Sequence, residues 1–186
     1  MTEKQIKAIQ AFAKKSLCNL KHRPALNQVK VINGNAYFTD SHMAIYFKDY
    51  FSDDVPLNGF TAEQLADLSY PDVERLLNPN GYPTKYNFTI SEILETLKNG
   101  KKLGNWKDRK TNKQYYHIEN GEILPESSIH FCTFNPVMLF HSLNCLKKFG
   151  EKEIEISLNP ERTYYPFRII GKVTNIEMLL TPIRTH

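Results

Sequence analysis

Residues 23–45 read RPALNQVKVINGNAYFTDSHMAI, and this stretch carries the fold class. QVKVI and AYF flank Asn33-Gly34, the dipeptide favoured in two-residue hairpins because both positions accept positive φ. A second turn, Thr39-Asp40-Ser41-His42, leads into MAIYF, so residues 25–48 are expected to form a β-meander. Pro24 disfavours helix at Arg23 and separates the meander from what precedes it.

Working outward, residues 3–17 read as an amphipathic helix with Ile6, Ile9, Ala13 and Leu17 on one face. Lys4, Lys7, Lys14 and Lys15 fall on the opposite face. Residues 49–87 are rich in turn formers, with TAEQLADL as a short helix inside them. A second helix is expected at 89–98, with Ile90, Ile93, Leu94 and Leu97 as its apolar stripe. The basic stretch KNGKKLGNWKDRKTNK follows, then the hairpin QYYHI–ENG–EIL. A short strand at 131–134 precedes the clearest helix, 135–149. Asn135 is its N-cap, Pro136 its first residue and Gly150 its stop. Its buried stripe is Leu139, Leu143 and Leu146. Three strands close the chain: EIEISL, YPFRII and NIEMLLTPI. This order is not βαβα alternation. It predicts an α+β fold, antiparallel sheet covered by helices on one face.

A hydrophobic fraction of 41% and a charged fraction of 24% exclude a disordered or fibrous chain. No apolar run approaches the roughly 20 residues a bilayer requires, and MTEKQIKAIQ lacks a signal peptide's apolar centre. A soluble, cytoplasmic protein is expected. Three widely spaced cysteines point to reduced thiols. Net charge is only +4, but residues 1–30 hold seven Lys/Arg against one acid, and residues 97–116 repeat that balance. Two basic segments on an acidic remainder match a nucleic-acid footprint or two solvated faces. No P-loop, GxGxxG, HExxH or GxSxG occurs, and the histidines lack metal-ligand spacing. His130 and Cys132 lie two apart, which in a strand would put both on one face, but a small apolar cysteine before a helix is the simpler reading. No enzyme activity, metal or cofactor is expected.

Four segments together resemble the bacterial sliding clamp, the β subunit of the replicative DNA polymerase. RPALNQVKVINGNAYFTDSHMAI is similar to the clamp's Arg-Pro, strand, hairpin and Thr-Asp-Gly-His-Arg-Leu pattern. YPDVERLL at 70–77 resembles its inter-domain Phe-Pro-Asp-Tyr-x-Arg-Leu. FNPVMLFHSL at 134–143 is similar to the start of its last helix, and LLTPIRT at 179–185 to its terminal Val-Met-Pro-Met-Arg-Leu. Met43 stands where the family has arginine, and Thr181 where it has methionine. The chain is about half a clamp subunit's length. It is either a shortened clamp or one clamp domain interrupted by an insertion. The division expected is a half-domain at 1–50, an insertion or linker at 51–127 and a C-terminal half-domain at 128–186.

The resemblance implies a processivity protein that tethers a polymerase or related factor to double-stranded DNA without reading sequence. The alternative is a clamp-fold interaction module that binds a replication protein without encircling DNA. Phosphate contacts are expected from Lys4, Lys7, Lys14, Lys15, Arg23 and Lys148. A groove for a short linear peptide is expected from Thr39, Ser41, His42, Met43, Pro71, Leu76, Leu179, Pro182, Ile183 and Arg184. Assembly with further copies of the chain is implied as well.

Overall fold

A computed structural model describes residues 3–13, 22–49, 53–77, 81–102, 115–119, 121–126, 134–162, 165–174 and 176–181. Its elements, in chain order, begin with α1 (Glu3–Ala13) and the strands β1 (Gln28–Ile32), β2 (Asn35–Thr39), β3 (Met43–Phe47) and β4 (Val55–Pro56). Next come α2 (Ala62–Leu65), β5 (Thr84–Thr89), α3 (Ile90–Lys102), β6 (Tyr115–Glu119) and β7 (Glu122–Glu126). The chain closes with α4 (Pro136–Lys148), β8 (Glu153–Leu158), β9 (Phe167–Gly171) and β10 (Ile176–Leu180).

Eight strands form one sheet in the order β4-β1-β2-β3-β10-β9-β8-β5, and every pairing is antiparallel. The seam β3–β10 joins the first meander to the last one. The expected hairpin at Asn33-Gly34 is present, with φ of 51° and 77° at the two turn residues. Strand registry explains how the sheet acquires two different faces, because successive side chains alternate. Phe38, Ile45, Met178, Ile169, Ile156 and Tyr86 lie in one line across six strands. That line belongs to the main core, with Ile9 and Phe12 of α1, Ile93, Leu94 and Leu97 of α3, and Leu139, Leu143 and Leu146 of α4. α4 touches both α1 and α3. The three longer helices therefore cover one face of the sheet, as the pattern predicts.

α4 starts where its sequence says it should. The Asn135 side chain accepts from the Val137 amide at 2.9 Å, and Pro136 needs no partner for an N–H it lacks. Gly150, at φ 99°, turns the chain beyond its end. α2 carries a reciprocal capping box between Thr61 and Gln64. Three expectations shift. α1 is helical to Ala13, and residues 14–17 lie outside the described residues, as do Phe131 to Thr133. α3 begins at Ile90 and runs on to Lys102. The segment TKYNFT, of which residues 84–87 fall in the stretch read as turn-rich and Thr89 at the start of the expected helix, is the edge strand β5 and pairs along its whole length with β8. The β6–β7 hairpin forms as read, and a bridge from Tyr116 to Phe134 ties it to the start of α4. No described helix is long and apolar enough to cross a membrane.

Candidate functional site

The sheet's second face carries a separate apolar cluster. Register places Thr39, Ala44, Leu179, Arg168, Ser157 and Lys85 in one line across it. The neighbouring line runs Lys30, Tyr37, Tyr46, Glu177, Ile170, Glu155 and Asn87. Tyr37, Ala44 and Leu179 from these lines pack with Val73 and Tyr82, and Tyr46, Tyr70, Leu77 and Tyr165 lean on them. Residues 70–77 thus lie as a strap across the β3–β10 seam.

Local chemistry holds the strap and the adjoining turn. Asp40 is fully buried, and its Oδ1 accepts from the amides of His42 and Met43, both at 2.8 Å. The Thr39 hydroxyl donates to the Met43 carbonyl at 2.7 Å and accepts from the Ser41 amide. Ser41 sits at φ 75°, a conformation that costs a non-glycine residue energy. From the strap, Tyr70 Oη accepts from the Thr39 amide at 3.0 Å and donates to the Tyr37 carbonyl at 3.1 Å. Thr181, just past β10, donates to the His42 carbonyl from both its amide (2.9 Å) and its hydroxyl (2.7 Å). At the other end, Asn159 Nδ2 donates to the Gly81 carbonyl and Tyr82 meets Tyr165 edge-on at 5.8 Å.

The turn at Thr39–His42, the strap at 70–77 and the end of β10 therefore converge at one seam. Three distant stretches of sequence supply them. Ser41, His42 and Pro71 are exposed at its rim, whereas Thr39 and Leu179 are buried. Met43 does not join them. It lies on the helix side of the sheet, opposite Leu180 in register and inside the main core. The MAIYF alternation sends Met43, Ile45 and Phe47 to one face and Ala44 and Tyr46 to the other. Leu76 belongs to the 3-10 turn Glu74–Leu77. Pro182, Ile183 and Arg184 lie outside the described residues. Tyr37, Tyr46, Tyr70 and Tyr82 were not singled out from sequence. The alternation in AYF and MAIYF was the available signal for the first two.

Burial dominates the electrostatics of the cluster. It pushes the Tyr37 hydroxyl up to about 12, with the Glu74 and Tyr46 charges adding to it. Tyr82 is likewise pushed up to about 12, by burial and then by Tyr165. Tyr70 moves the same way through burial, and Tyr46 through burial followed by Glu177, Glu74 and Asp49. All four rings are held neutral at ordinary pH.

The expected phosphate-binding residues are more scattered. Lys4 and Lys7 are exposed on α1, and Lys7 pairs with Glu3 at 2.5 Å. Lys148 is exposed at the end of α4, beside Lys147. Lys14 and Lys15 lie outside the described residues. Arg23 donates to the Ser41 hydroxyl, so it belongs with the rim of the seam. No group of three His, Cys, Asp or Glu side chains suited to a metal occurs among the described residues. Cys132 and His130 also lie outside them.

No family model and no curated protein sequence matches the chain. Solved structures do. The DNA polymerase III β chain of Streptococcus pneumoniae superposes with a TM-score of 0.63 at 16% identity over 97% of this chain. The Pseudomonas aeruginosa DNA polymerase sliding clamp gives 0.64 at 13% identity, also over 97%. The chain has the sliding-clamp fold. It spans 63% and 64% of those two chains, less than two thirds of either. The Helicobacter pylori β clamp, solved bound to a DNA ligase peptide, matches with a TM-score of 0.56 at 16% identity over 95% of this chain and 63% of its own.

Proposed function

We propose that this chain is a clamp-type accessory protein of DNA replication, not an enzyme, which tethers a polymerase or related factor to duplex DNA. The observation that supports this most is the convergence of Thr39–His42, residues 70–77 and Leu179–Thr181 at the β3–β10 seam. Each of these segments resembles a clamp motif, and nothing but the fold brings them together. A peptide bound by a clamp has a solved counterpart in the Helicobacter pylori complex. In this reading residues 1–50 and 128–186 act as clamp halves, and the helix layer faces DNA. Lys4, Lys7, Lys14, Lys15 and Lys148 would contact phosphates without reading bases, each contact steepening the salt dependence by about 0.9 in logarithmic slope.

A second reading has specific support. Of the lysines expected on phosphate, Lys7 forms an ion pair with Glu3 on the exposed face of α1. On that basis it is a clamp-fold module that holds a replication protein without encircling DNA. Both readings place a peptide at the seam. The test is fluorescence anisotropy with a labelled C-terminal polymerase peptide. Binding that weakens tenfold or more in His42→Ala and Ile183→Ala supports the seam, and equal binding by the variants removes it.

A further inference from the structure

The eight-stranded sheet ends on β5, and no described strand pairs with that strand's far side. Ladder parity shows which backbone groups point there. The Ile90 amide donates to the Lys152 carbonyl at 2.8 Å, one step past the Thr89–Glu153 pair, so the even-numbered residues of β5 bond to β8. The Lys172 amide donates to the Glu153 carbonyl, so the odd-numbered residues of β8 bond to β9 and the even ones are left for β5, in agreement. Lys85, Asn87 and Thr89 therefore turn their amides away from β8. The carbonyls of Lys85 and Asn87 point the same way, while that of Thr89 opens α3. On the helix side of the sheet, Tyr86 and Phe88 pack against the main core yet stay partly exposed, with ring centroids 6.4 Å apart. The β6–β7 turn reaches the Tyr86 ring at Gly121, but neither strand of that hairpin pairs with β5. On the opposite face Lys85 and Asn87 are exposed. A lysine standing off an edge strand hinders pairing. Lys85 is instead drawn back over β8, where its Nζ lies 3.2 Å from Glu155.

We propose that β5 pairs with β5 of a second copy of this chain, antiparallel about a two-fold axis through Asn87. The strand is self-complementary in that register. The amide and carbonyl of Asn87 exchange hydrogen bonds with their own counterparts, and the Thr89 amide meets the second copy's Lys85 carbonyl. Tyr86 falls opposite the second copy's Phe88, and Phe88 opposite its Tyr86. These are non-hydrogen-bonded positions, where facing side chains approach closest and aromatic pairs add stability. Lys85 faces Thr89, so no like charges meet across the join. An axis through Tyr86 also keeps each sheet face on its own side, but it sets Thr89 against Pro83, which has no N–H. Head-to-tail contact between β5 and the β4 of a next copy is poorly matched, six residues against two, one of them Pro56. A two-fold contact closes at two copies, and it stands whatever docks at the seam.

Sedimentation equilibrium of the chain over a range of concentrations should approach twice 21.6 kDa. Asn87→Pro removes an outward amide that the chain's own ladder does not use, a place where edge strands accept proline. It should sediment at 21.6 kDa with its far-UV circular dichroism unchanged. A short bismaleimide cross-linker reads the register. Asn87→Cys places two thiols on backbones about 5.5 Å apart across the axis, whereas Lys85→Cys places them on backbones about 14 Å apart. Covalent pairs are expected from Asn87→Cys, and none above the wild-type level from Lys85→Cys. This comparison decides alone if Asn87→Pro does not fold. A single-copy mass for the wild type at every concentration overturns the proposal. So does a two-copy mass that survives Asn87→Pro, or equal cross-linking from the two cysteines. A mass that climbs past two copies overturns it as well and leaves head-to-tail assembly in its place.

Discussion

Tyr70 shows how one side chain can stand in for a strand. β1 pairs with β2 only as far as Lys30–Tyr37, and beyond that point β1 turns to pair with β4 through Gln28 and Val29. The Thr39 amide is left without a strand partner on that side, and Tyr70 Oη takes its place while donating to the Tyr37 carbonyl. Removing the hydroxyl leaves a backbone donor without its partner in a confined site, which costs about 1–3 kcal/mol. Tyr70→Phe is therefore expected to lower Tm by about 2–4 °C for each kcal/mol lost. It should also weaken peptide binding at the seam, since the strap loses its anchor. Calorimetry showing an unchanged Tm would mean that this hydrogen bond is dispensable. Ser41 makes the opposite case. At φ 75° it occupies a conformation better suited to glycine, which is the residue the resembling clamp motif has there.

At the scale of elements, the turn between β9 and β10 is held from below. Glu151, 2% exposed, follows α4 and accepts from the amides of Val173 and Thr174. This fits only because Gly171 has no Cβ; one placed there would collide with the Glu151 carboxylate and lie 3.0 Å from Thr174 Oγ1. Gly171→Ala should cost about 1–3 kcal/mol by overpacking, read as a lower urea midpoint at unchanged slope. An unchanged midpoint would show that the carboxylate can withdraw freely. Elements differ in how far they can be read from sequence. α4 was readable because Asn135, Pro136 and Gly150 are local signals, and the β1–β2 hairpin because Asn33-Gly34 sits between alternating strands. β5 was missed because Pro79, Gly81 and Pro83 crowd its start and Thr89 at its end reads equally well as the cap of α3. Its pairing with β8 spans some seventy residues of sequence and leaves no local mark. The strap is harder still. YPDVERLL has no periodicity that says which sheet face it crosses, and only its resemblance to a clamp segment suggested a site. That resemblance also misplaced Met43, which strand alternation alone assigns to the core.

For the whole molecule, two apolar layers on one sheet make stability sensitive to alkali. Unfolded, Tyr37 and Tyr82 release protons near 10.0 and Cys145 near 9.0; folded, burial holds all three to about 12. The unfolded chain thus binds fewer protons between those limits, and stability falls as pH rises through them. On these groups' account it is fully present below the lowest unfolded value, the 9.0 of the cysteine. Thermal unfolding followed from pH 7 to 11 should show a level Tm and then a decline. Tyrosinate absorbance that rises completely at an ordinary midpoint, with the fold intact, would contradict the burial of the outer cluster.

The same sheet ends in two different edges, the two-residue β4 containing Pro56 and the six-residue β5, which has no proline. A short proline edge resists further pairing, whereas a long regular one invites it. The proposed clamp-type tether needs further copies of the chain to surround DNA. Light scattering coupled to gel filtration, over a range of protein concentrations, measures this directly. A tethering clamp predicts a mass that is an integral multiple of 21.6 kDa, two copies or more. A mass of 21.6 kDa at every concentration would contradict it and leave the non-encircling module in its place.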